Sequence, residues 1–530
     1  MSDGPALRVD PAAGAPTPRG KVAWWIALAV VALLAGWLRM HDIRSFRIGP
    51  DDGSYLHSAR VHELVRSGDP VQWVRDDIAW ARELARLYDQ PKETYQHSYL
   101  HQLTARWLYR MGAEAVASLR YSSALLGTLT VLIVAWFARR LLPDRRWLAV
   151  LAAASVAVSP LHAFLSRTGW GQAGFTCWYL AFLVCAHRAL IARPEPSARA
   201  LRLAALGMIA TSVLAYGWHE GVVPYVAGTA LVALAAPWIR GERWSARAVL
   251  TSRRTWTYLA GASVVGAFTV ALFFSDFARE YWLTAQGRAP KDMPWLEIKG
   301  RTLANIFVEQ RLDLMLTWPT ILLALLGAAW LRRTNRSAFR WLAANAIAAP
   351  LLLFLAFGDA FLVRAYLPSL VLLLVLSACG VVWLTERFGH AAGALVGSGV
   401  LALIAATTWQ TLFGAHLGPV FVQKLYDQTN QLDHRHVDEP LYDLLVRERQ
   451  PSELVGVFAD KACIYKLQDR GITAREDYME GRPIETWPVW IVGVVAEFEK
   501  SRFFEKHGGP YVLRAKDAVG RHALYQRVTR

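Results

Sequence analysis

Residues 119–146, LRYSSALLGTLTVLIVAWFARRLLPDRR, decide the fold class of this chain. From Tyr121 to Ala138 the stretch carries no charged side chain, and Arg139 and Arg140 follow at once. A helix needs about 20 mostly apolar residues to cross the hydrocarbon of a bilayer, and arginines gather in the short loops on its cytoplasmic side. The stretch therefore predicts a membrane-spanning helix that ends in the cytoplasm.

Apolar runs of this kind recur from Trp24 to Gly414, with the charges confined to the gaps between them. Their lengths predict about eleven transmembrane helices. The predicted spans are residues 22–40, 119–138, 147–161, 170–190, 202–217, 221–238, 256–275, 314–331, 340–357, 363–384 and 391–414. The predicted fold is an all-α polytopic membrane protein, because a soluble core does not need this segregation.

Alternate loops between the predicted spans are rich in arginine, at residues 139–146, 188–202, 240–254 and 332–340, whereas the other short loops carry almost none. The positive-inside rule places the arginine-rich loops and the N-terminus in the cytoplasm. An odd number of spans then leaves the C-terminal region on the outer face. We expect a multi-pass protein of a bacterial-type plasma (inner) membrane.

This topology divides the chain into three parts. Residues 1–20, rich in Pro, Gly and Ala, are predicted to be a disordered cytoplasmic tail. Residues 21–414 form the transmembrane domain, with large outer loops at 41–118 and 276–313. Residues 415–530 form an extracytoplasmic domain, in which short apolar runs alternate with polar helical stretches as in a small α/β fold.

Two further features narrow the class of protein. In the first outer loop, apolar residues recur at three- and four-residue steps among charges, which predicts amphipathic helices along the membrane surface. The net charge of +16 does not indicate a nucleic-acid partner, because the basic residues are scattered through short loops and form no recognisable binding module. Only four cysteines occur, three of them inside apolar runs, so we expect free thiols.

The segment GPDDGSY at residues 49–55 follows the first predicted span and places Asp51 and Asp52 at the membrane interface. A carboxylate that is partly shielded from water can take the proton from an acceptor hydroxyl. Asp is also favoured at helix N-caps, so a structural interpretation stays open. Tyr55, and His97 later in the same loop, are candidate contacts for a sugar or its acceptor.

Two arginines on the predicted outer face are candidate phosphate ligands. Arg167 lies in SPLHAFLSRTGWGQ at 159–172, and Arg364 lies in GDAFLVRAYLP at 358–368. The guanidinium fork suits phosphate oxygens and can neutralise the charge on a departing lipid phosphate. Arginines near helix ends also snorkel to the interface, and Tyr366 fits either an interfacial belt or a substrate contact.

His219 and Glu220, in GWHEG at 217–221, interrupt an otherwise apolar turn between the fifth and sixth predicted spans. Ionisable groups at membrane depth are costly and often functional. The pair can coordinate a divalent cation or hold a lipid phosphate, and a purely structural pair is an equal alternative. The need for a metal or another cofactor therefore stays an open question.

Together these segments resemble the lipid-linked sugar transferases of the GT-C superfamily, particularly the family that contains protein O-mannosyltransferases, aminoarabinose transferases and RgtA/B/C/D-like bacterial glycosyltransferases. The resemblance covers roughly residues 22–385. It rests on PDDGSY in the first outer loop, on residues 119–146, on SPLHAFLSR at 159–167 and on RAYLP at 364–368.

The resemblance implies an inverting glycosyltransferase, of the hexosyl or pentosyl kind, that uses a polyprenyl-phosphate sugar donor at the outer face of the membrane. It also implies that the first acidic residue of the outer-loop motif is the base, which in this chain is Asp51. Asp52 takes the second acidic position, which in relatives helps with donor, acceptor or metal. The acceptors that fit this class of enzyme are a glycolipid, a cell-envelope polymer and a protein. The lipid of the membrane is a further expected partner.

Two alternatives remain open. An oligosaccharyltransferase-like enzyme would usually carry a Trp-Trp-Asp motif in its outer domain, and WPVW at 487–490 lacks the acid. A polytopic lipid or glycan transporter, or a flippase, would place charged groups near mid-membrane, often in two related halves. The candidate groups here gather instead at one predicted face.

Overall fold

The computed structural model shows a helical membrane bundle followed by a small α/β unit. The structure describes residues 18–45, 55–66, 68–87, 99–192, 194–260, 263, 294–304, 316–356, 363–413, 439–458, 462–476, 488–501, 511–517, 520 and 522–528. Asp51, Asp52 and His97 lie outside the described residues, and so do most of the loop 276–313 and most of the predicted span 256–275.

Long apolar helices dominate the membrane part. The helices are α1 (Pro18–Met40), α2 (Pro70–Leu87), α3 (Tyr99–Arg110), α4 (Ala115–Leu141), α5 (Arg146–Ala157), α6 (Pro160–Arg167), α7 (Gln172–Leu190), α8 (Ala198–Trp218), α9 (Val223–Leu234), α10 (Ala236–Ile239), α11 (Ala246–Leu250), α12 (Trp295–Ala304), α13 (Trp318–Thr334), α14 (Arg336–Ala356), α15 (Leu367–Phe388) and α16 (His390–Phe413). Within the described part of the chain, seven helices are long and apolar enough to cross a membrane, or eight crossings if the bent pair α5 and α6 is one span. The shorter helices α9 and α13 lie where the sixth and eighth spans are predicted. The chain is a multi-pass membrane protein, as its apolar runs predict.

The third predicted span, residues 147–161, is not one straight helix. Helix α5 ends at Ala157, and α6 begins at Pro160 at an angle of 59° to it. The side chain of Ser159 accepts a hydrogen bond from the backbone N–H of His162 at 3.5 Å, which caps α6. Proline suits the first helical position, where no backbone donor is needed. The Ser-Pro pair therefore starts a new helix in another direction, and the predicted third span corresponds to a bent pair of helices.

Helices α13 and α15 approach each other backbone to backbone. A Cβ atom on Gly327 would lie 1.9 Å from the carbonyl oxygen of Leu376, and one on Gly380 would lie 2.1 Å from that of Leu323. No side chain fits at such distances, so glycine is required at both positions. Small residues let transmembrane helices pack this closely, and dispersion contacts then stabilise the pair.

The first long loop contains helices, as its periodicity predicts. Residues 55–58 are helical, and α2 and α3 follow. The buried carboxylate of Asp77 joins α2 to α3, because it accepts hydrogen bonds from Nε of Arg106 at 2.7 Å, from a terminal nitrogen of Arg110 at 2.9 Å and from Nε1 of Trp107 at 2.7 Å. Both guanidinium groups are themselves buried. This network fixes the two surface helices to each other.

The C-terminal part forms a five-stranded sheet with three helices, which confirms the predicted small α/β fold. Its elements are α17 (Glu439–Glu448), β1 (Val455–Phe458), α18 (Ala462–Asp469), β2 (Ala474–Glu476), β3 (Trp490–Val494), α19 (Val495–Ser501), β4 (Tyr511–Lys516) and β5 (His522–Arg527). The strand order is β2-β1-β3-β5-β4, with β1 parallel to β2 and β3, and β5 antiparallel to β3 and β4. Val455, Trp490 and Leu524 are fully buried between the sheet and its helices.

The α/β unit docks on the bundle through α18. Asp469, the last residue of α18, accepts a hydrogen bond from the backbone N–H of Ala115 at 3.2 Å and forms an ion pair with Arg66 at 3.1 Å. Ala115 is the first residue of α4, and a carboxylate is favoured at a helix N-terminus. Tyr465, one turn earlier in α18, is buried in the apolar core of the bundle. The α/β unit thus caps a transmembrane helix.

The burial of Asp469 predicts that docking depends on pH. Burial raises the pKa of Asp469 to about 6 from its ordinary value of 3.8, and the nearby charge of Glu114 adds to the effect, while the Ala115 N–H and Arg66 oppose it. The docked form therefore binds the proton more tightly than an undocked form does. The cost of burying the charged carboxylate is absent below pH 3.8 and complete above about pH 6, so docking weakens as the pH rises through this range.

Candidate active site

The bundle has two chemically different ends. Arg240, just after α10, donates to the carbonyl of Leu190 at 2.8 Å, and Arg340 in α14 donates to the carbonyl of Trp238. These contacts bring the arginine-rich loops together at one end of the bundle, the arginine-rich end. The side chains singled out from the sequence lie at the opposite end, the candidate end, and they include Arg167, His219 and Arg364.

Arg167 is fully buried at the last turn of α1. Its two terminal nitrogens donate to the carbonyls of Leu38 at 2.8 Å, His41 at 2.6 Å and Asp42 at 3.1 Å, and its guanidinium lies 5.0 Å from the ring centroid of Phe413. A helix leaves its last carbonyls without intrahelical partners, and Arg167 binds one of them in α1 together with two carbonyls just after the helix. Its predicted contact with a donor phosphate stays a prediction.

Arg39 makes the reciprocal contact and was not singled out from the sequence. It is fully buried near the end of α1, and it donates to the carbonyls of Val156 at 3.2 Å and Ala157 at 3.1 Å, the last residues of α5. Arg39 also donates to the carbonyl of Ala35 at 3.0 Å and to Nδ1 of His162 in α6 at 2.8 Å. Because a guanidinium only donates, this histidine nitrogen carries no proton. Arg39 therefore supplies the hydrogen bonds that the break between α5 and α6 removes.

His219 lies between α8 and α9, and both of its ring nitrogens have neighbours. Nδ1 accepts from the backbone N–H of Gly221 at 2.9 Å, and Nε2 lies 3.3 Å from the side-chain amide nitrogen of Gln172. With Nδ1 accepting, the neutral ring carries its proton on Nε2, so the amide of Gln172 has to turn by about 180° for its oxygen to accept this proton. The ring of Phe175 lies 5.6 Å away.

A metal site is not built from the described residues. Within the parts of the chain that the structure describes, no group of three or more His, Cys, Asp or Glu side chains is placed to hold a metal ion. The side chain of Glu220 lies outside the described residues, as do Asp51 and Asp52. The predicted divalent cation at His219 and Glu220 therefore stays a prediction.

Arg364 and Tyr366 lie in the turn that precedes α15. The guanidinium of Arg364, itself half-buried, lies 4.5 Å from the ring centroid of Trp170, close enough for a cation–π contact. The hydroxyl of Tyr225 donates to the carbonyl of Ala365 at 2.7 Å and fixes this turn against α9. Within the described chain, the buried hydroxyl of Tyr366 and Nε1 of Trp170 have no hydrogen-bond partner.

His101 in α3 is the centre of the candidate end. Its Nε2 lies 3.2 Å from the carbonyl of Leu119 and 3.3 Å from the hydroxyl of Ser123. Its ring stacks on Trp218 at 4.8 Å and meets the edge of Tyr55 at 5.6 Å. Burial lowers the pKa of His101 from 6.5 to about 3, so the ring is neutral at physiological pH. Its Nδ1 is buried and has no hydrogen-bond partner among the described residues.

These contacts join side chains from six separate segments into one set, which we call the His101 cluster. The hydroxyl of Ser123 donates to the backbone carbonyl of Trp170 at 3.0 Å, and it thereby links His101 to the turn that contains Trp170. The members of the cluster are Tyr55, His101, Ser123, Trp170, Gln172, Trp218, His219 and Arg364. Among the predicted site residues, the structure therefore brings Tyr55, His219 and Arg364 together, and Tyr366 follows Arg364 by two residues in the same turn.

Ser123, Trp170 and Trp218 were not predicted as members of the site. Both tryptophans follow a glycine in a polar turn between apolar runs, in TGWGQ at 168–172 and YGWHE at 216–220. That shared Gly-Trp pair was the available signal. Ser123 gave none, because a serine inside a transmembrane helix normally bonds its own backbone.

Neither a protein-family model nor a curated protein matches the sequence. Solved structures do match. ArnT from Cupriavidus metallidurans in the apo state superposes with a TM-score of 0.56 at 14% identity, covering 96% of this chain and 98% of that chain. ArnT from the same organism bound to undecaprenyl phosphate superposes with a TM-score of 0.55, with the same identity and coverage. At this identity the likeness concerns the fold, which the two proteins share along nearly their whole length, including the C-terminal α/β unit.

Proposed function

We propose that this chain is a GT-C glycosyltransferase that moves a sugar from a polyprenyl-phosphate donor to an acceptor hydroxyl at the outer face of the membrane. The observation that carries the proposal is the His101 cluster, in which six chain segments converge at one end of a membrane bundle. That bundle has the fold of ArnT, and undecaprenyl phosphate, the ligand of one ArnT structure, is a polyprenyl phosphate. The resemblance of the sequence motifs points to the same class of enzyme.

The donor phosphate is assigned to Arg364. Its guanidinium is half-buried against the ring of Trp170 within the cluster, and the planar guanidinium fork suits the oxygens of a phosphate. Arg167 was the other candidate, and its two terminal nitrogens already bind three backbone carbonyls. In this proposal Arg167 chiefly holds the end of α1, in addition to any contact that it makes with the phosphate.

Asp51 is assigned the role of general base. Two neighbours in sequence support a position beside the cluster: Asp42, whose carbonyl binds Arg167, and Tyr55, whose ring meets His101. Four residues of chain reach at most about 14 Å, so the Cα atom of Asp51 lies within that distance of Tyr55. Asp52 has the same constraint and is assigned to assist with donor, acceptor or metal.

The reaction that follows is a single displacement. The acceptor oxygen attacks the anomeric carbon while Asp51 takes the hydroxyl proton. The bond from the anomeric carbon to the phosphate oxygen breaks, and the polyprenyl phosphate leaves with its electron pair. The configuration of the sugar is inverted, and the leaving phosphate needs cations rather than a proton.

The test is transfer of radiolabelled sugar from a panel of polyprenyl-phosphate donors to a membrane extract. Wild type is compared with Asp51→Asn and with Asp144→Asn, an exposed aspartate in the loop after α4 at the arginine-rich end. We expect transfer from one donor by wild type and Asp144→Asn, with at least a 100-fold loss in Asp51→Asn. Equal transfer by all three proteins would overturn Asp51 as base. Absence of transfer from every donor would overturn the enzyme assignment and favour a lipid transporter.

A further inference from the structure

A cavity of about 260 Å³ opens at the arginine-rich end, far from the His101 cluster. One wall is α10 and the residues after it, with Trp238, Arg240 and Glu242, and the other is the start of α14, with Arg336 and Arg340. The cavity therefore lies between α10 and the start of α14. None of the catalytic assignments above uses it.

The cavity carries three arginines and one carboxylate. Arg240 binds both oxygens of Glu242 at 2.7 Å, so the negative charge in the cavity is already paired. Arg340 lies 4.1 Å from the ring centroid of Trp238 and donates to its carbonyl, which holds its guanidinium in place. Arg336 is exposed and has no hydrogen-bond or ion-pair partner among the described residues. Two positive charges are left over, which favours an anion.

The position of the two remaining arginines also suits an anion. Arg336 and Arg340 are four residues apart in α14, so their side chains lie on the same face of the helix. Arg336 is the first residue of α14, and the backbone N–H groups of a first helical turn favour negative charge. Ser337, also in the lining, adds a hydroxyl donor.

We propose that this cavity binds the phosphate group of an anionic phospholipid in the leaflet at the arginine-rich end. The cavity lies at the ends of membrane helices, where lipid headgroups are found, and Trp238 at its rim is 47% exposed, as is usual for an interfacial tryptophan. Basic pockets between transmembrane helices are typical headgroup sites. The bound lipid contacts both α10 and the start of α14.

The test is native mass spectrometry of the full chain in detergent, titrated with phosphatidylglycerol or phosphatidylcholine. The variants are Arg336→Gln and Arg333→Gln, the latter an exposed arginine at the same end and outside the cavity. We expect phosphatidylglycerol to bind wild type and Arg333→Gln equally, and Arg336→Gln at least tenfold more weakly. Equal binding of phosphatidylglycerol to all three proteins, or equal binding of both lipids to wild type, would overturn the proposal.

Two additions keep the test decisive. Ser337→Glu places a carboxylate in the cavity, and it must weaken phosphatidylglycerol binding even if Arg336→Gln fails to fold. Inorganic phosphate at millimolar concentration distinguishes the two sources of the phosphate group. If it protects wild type against heating as well as the lipid does, and the protection is lost in Arg336→Gln, the site takes free phosphate and the assignment to a lipid is wrong. Sugar transfer does not enter this measurement, so the proposal can fail or succeed independently of the enzyme assignment.

Discussion

Replacing Asp77 by asparagine should release the two surface helices of the first long loop from each other. The carboxylate is 7% exposed, and it is the counter-ion of the buried side chains of Arg106 and Arg110. Asparagine has nearly the same shape, so the change removes the charge and leaves the packing. Both guanidinium groups would then be buried without a carboxylate at that position.

The size of the effect follows from burial. Removing one partner of a buried ion pair costs about 3–5 kcal/mol, because the remaining charge stays desolvated and uncompensated. At tenfold for every 1.4 kcal/mol, that corresponds to about 100- to 4,000-fold more frequent opening of α2 from α3. The neighbouring Asp76 provides a matched control, since its side chain is 49% exposed and lies 3.7 Å from Arg110. A long ion pair with a half-exposed carboxylate contributes less, about 0–1 kcal/mol.

Amide hydrogen exchange measured by mass spectrometry on α3 peptides tests this directly. Wild type, Asp77→Asn and Asp76→Asn are compared in the same detergent and at the same pH. We expect faster exchange across α3 in Asp77→Asn alone, with unchanged exchange in the distant α14. Equal exchange rates in α3 for the two variants would refute the argument, because burial of Asp77 would then have no energetic consequence.

Two further predictions concern packing and the tail interface. Gly327→Ala should destabilise the bundle by about 1–3 kcal/mol or more, because its methyl group would overlap backbone atoms of α15. Gly399→Ala, with open space around it, should change stability by about 1 kcal/mol or less. Thermal unfolding in detergent compares the two variants, and equal midpoints would contradict the close approach of α13 and α15. Asp469→Asn should remove the pH dependence of docking. In wild type, docking should weaken by up to about 3 kcal/mol as the pH rises through the range from about 4 to 6. Protease protection of the C-terminal unit measures docking, and parallel pH profiles of the two proteins would contradict the role of the carboxylate.

The sequence located the spans well because a bilayer imposes a simple demand, an uncharged run of about 20 residues, which is visible locally. The break after Ala157 was missed for an equally physical reason. Hydropathy averages over a window, and Ser159 and Pro160 do not interrupt an apolar run. The preference of serine for the N-cap and of proline for the first helical position is also visible locally. These two preferences indicate the start of a new helix at Pro160, which a hydropathy average does not show.

The site was harder to predict because its contacts join residues far apart in sequence. Arg39 in α1 binds the last carbonyls of α5, and Arg167 in α6 binds carbonyls at the end of α1, in both cases across more than 100 residues of sequence. From the sequence, both are arginines near helix ends, and nothing local distinguishes a capping arginine from a phosphate ligand. Arg364 differs from them in one respect that only the fold reveals, since its guanidinium lies against the aromatic ring of Trp170 in the His101 cluster. Arg167 uses its two terminal nitrogens to bind three backbone carbonyls at the end of α1, so the phosphate assignment moves from Arg167 towards Arg364.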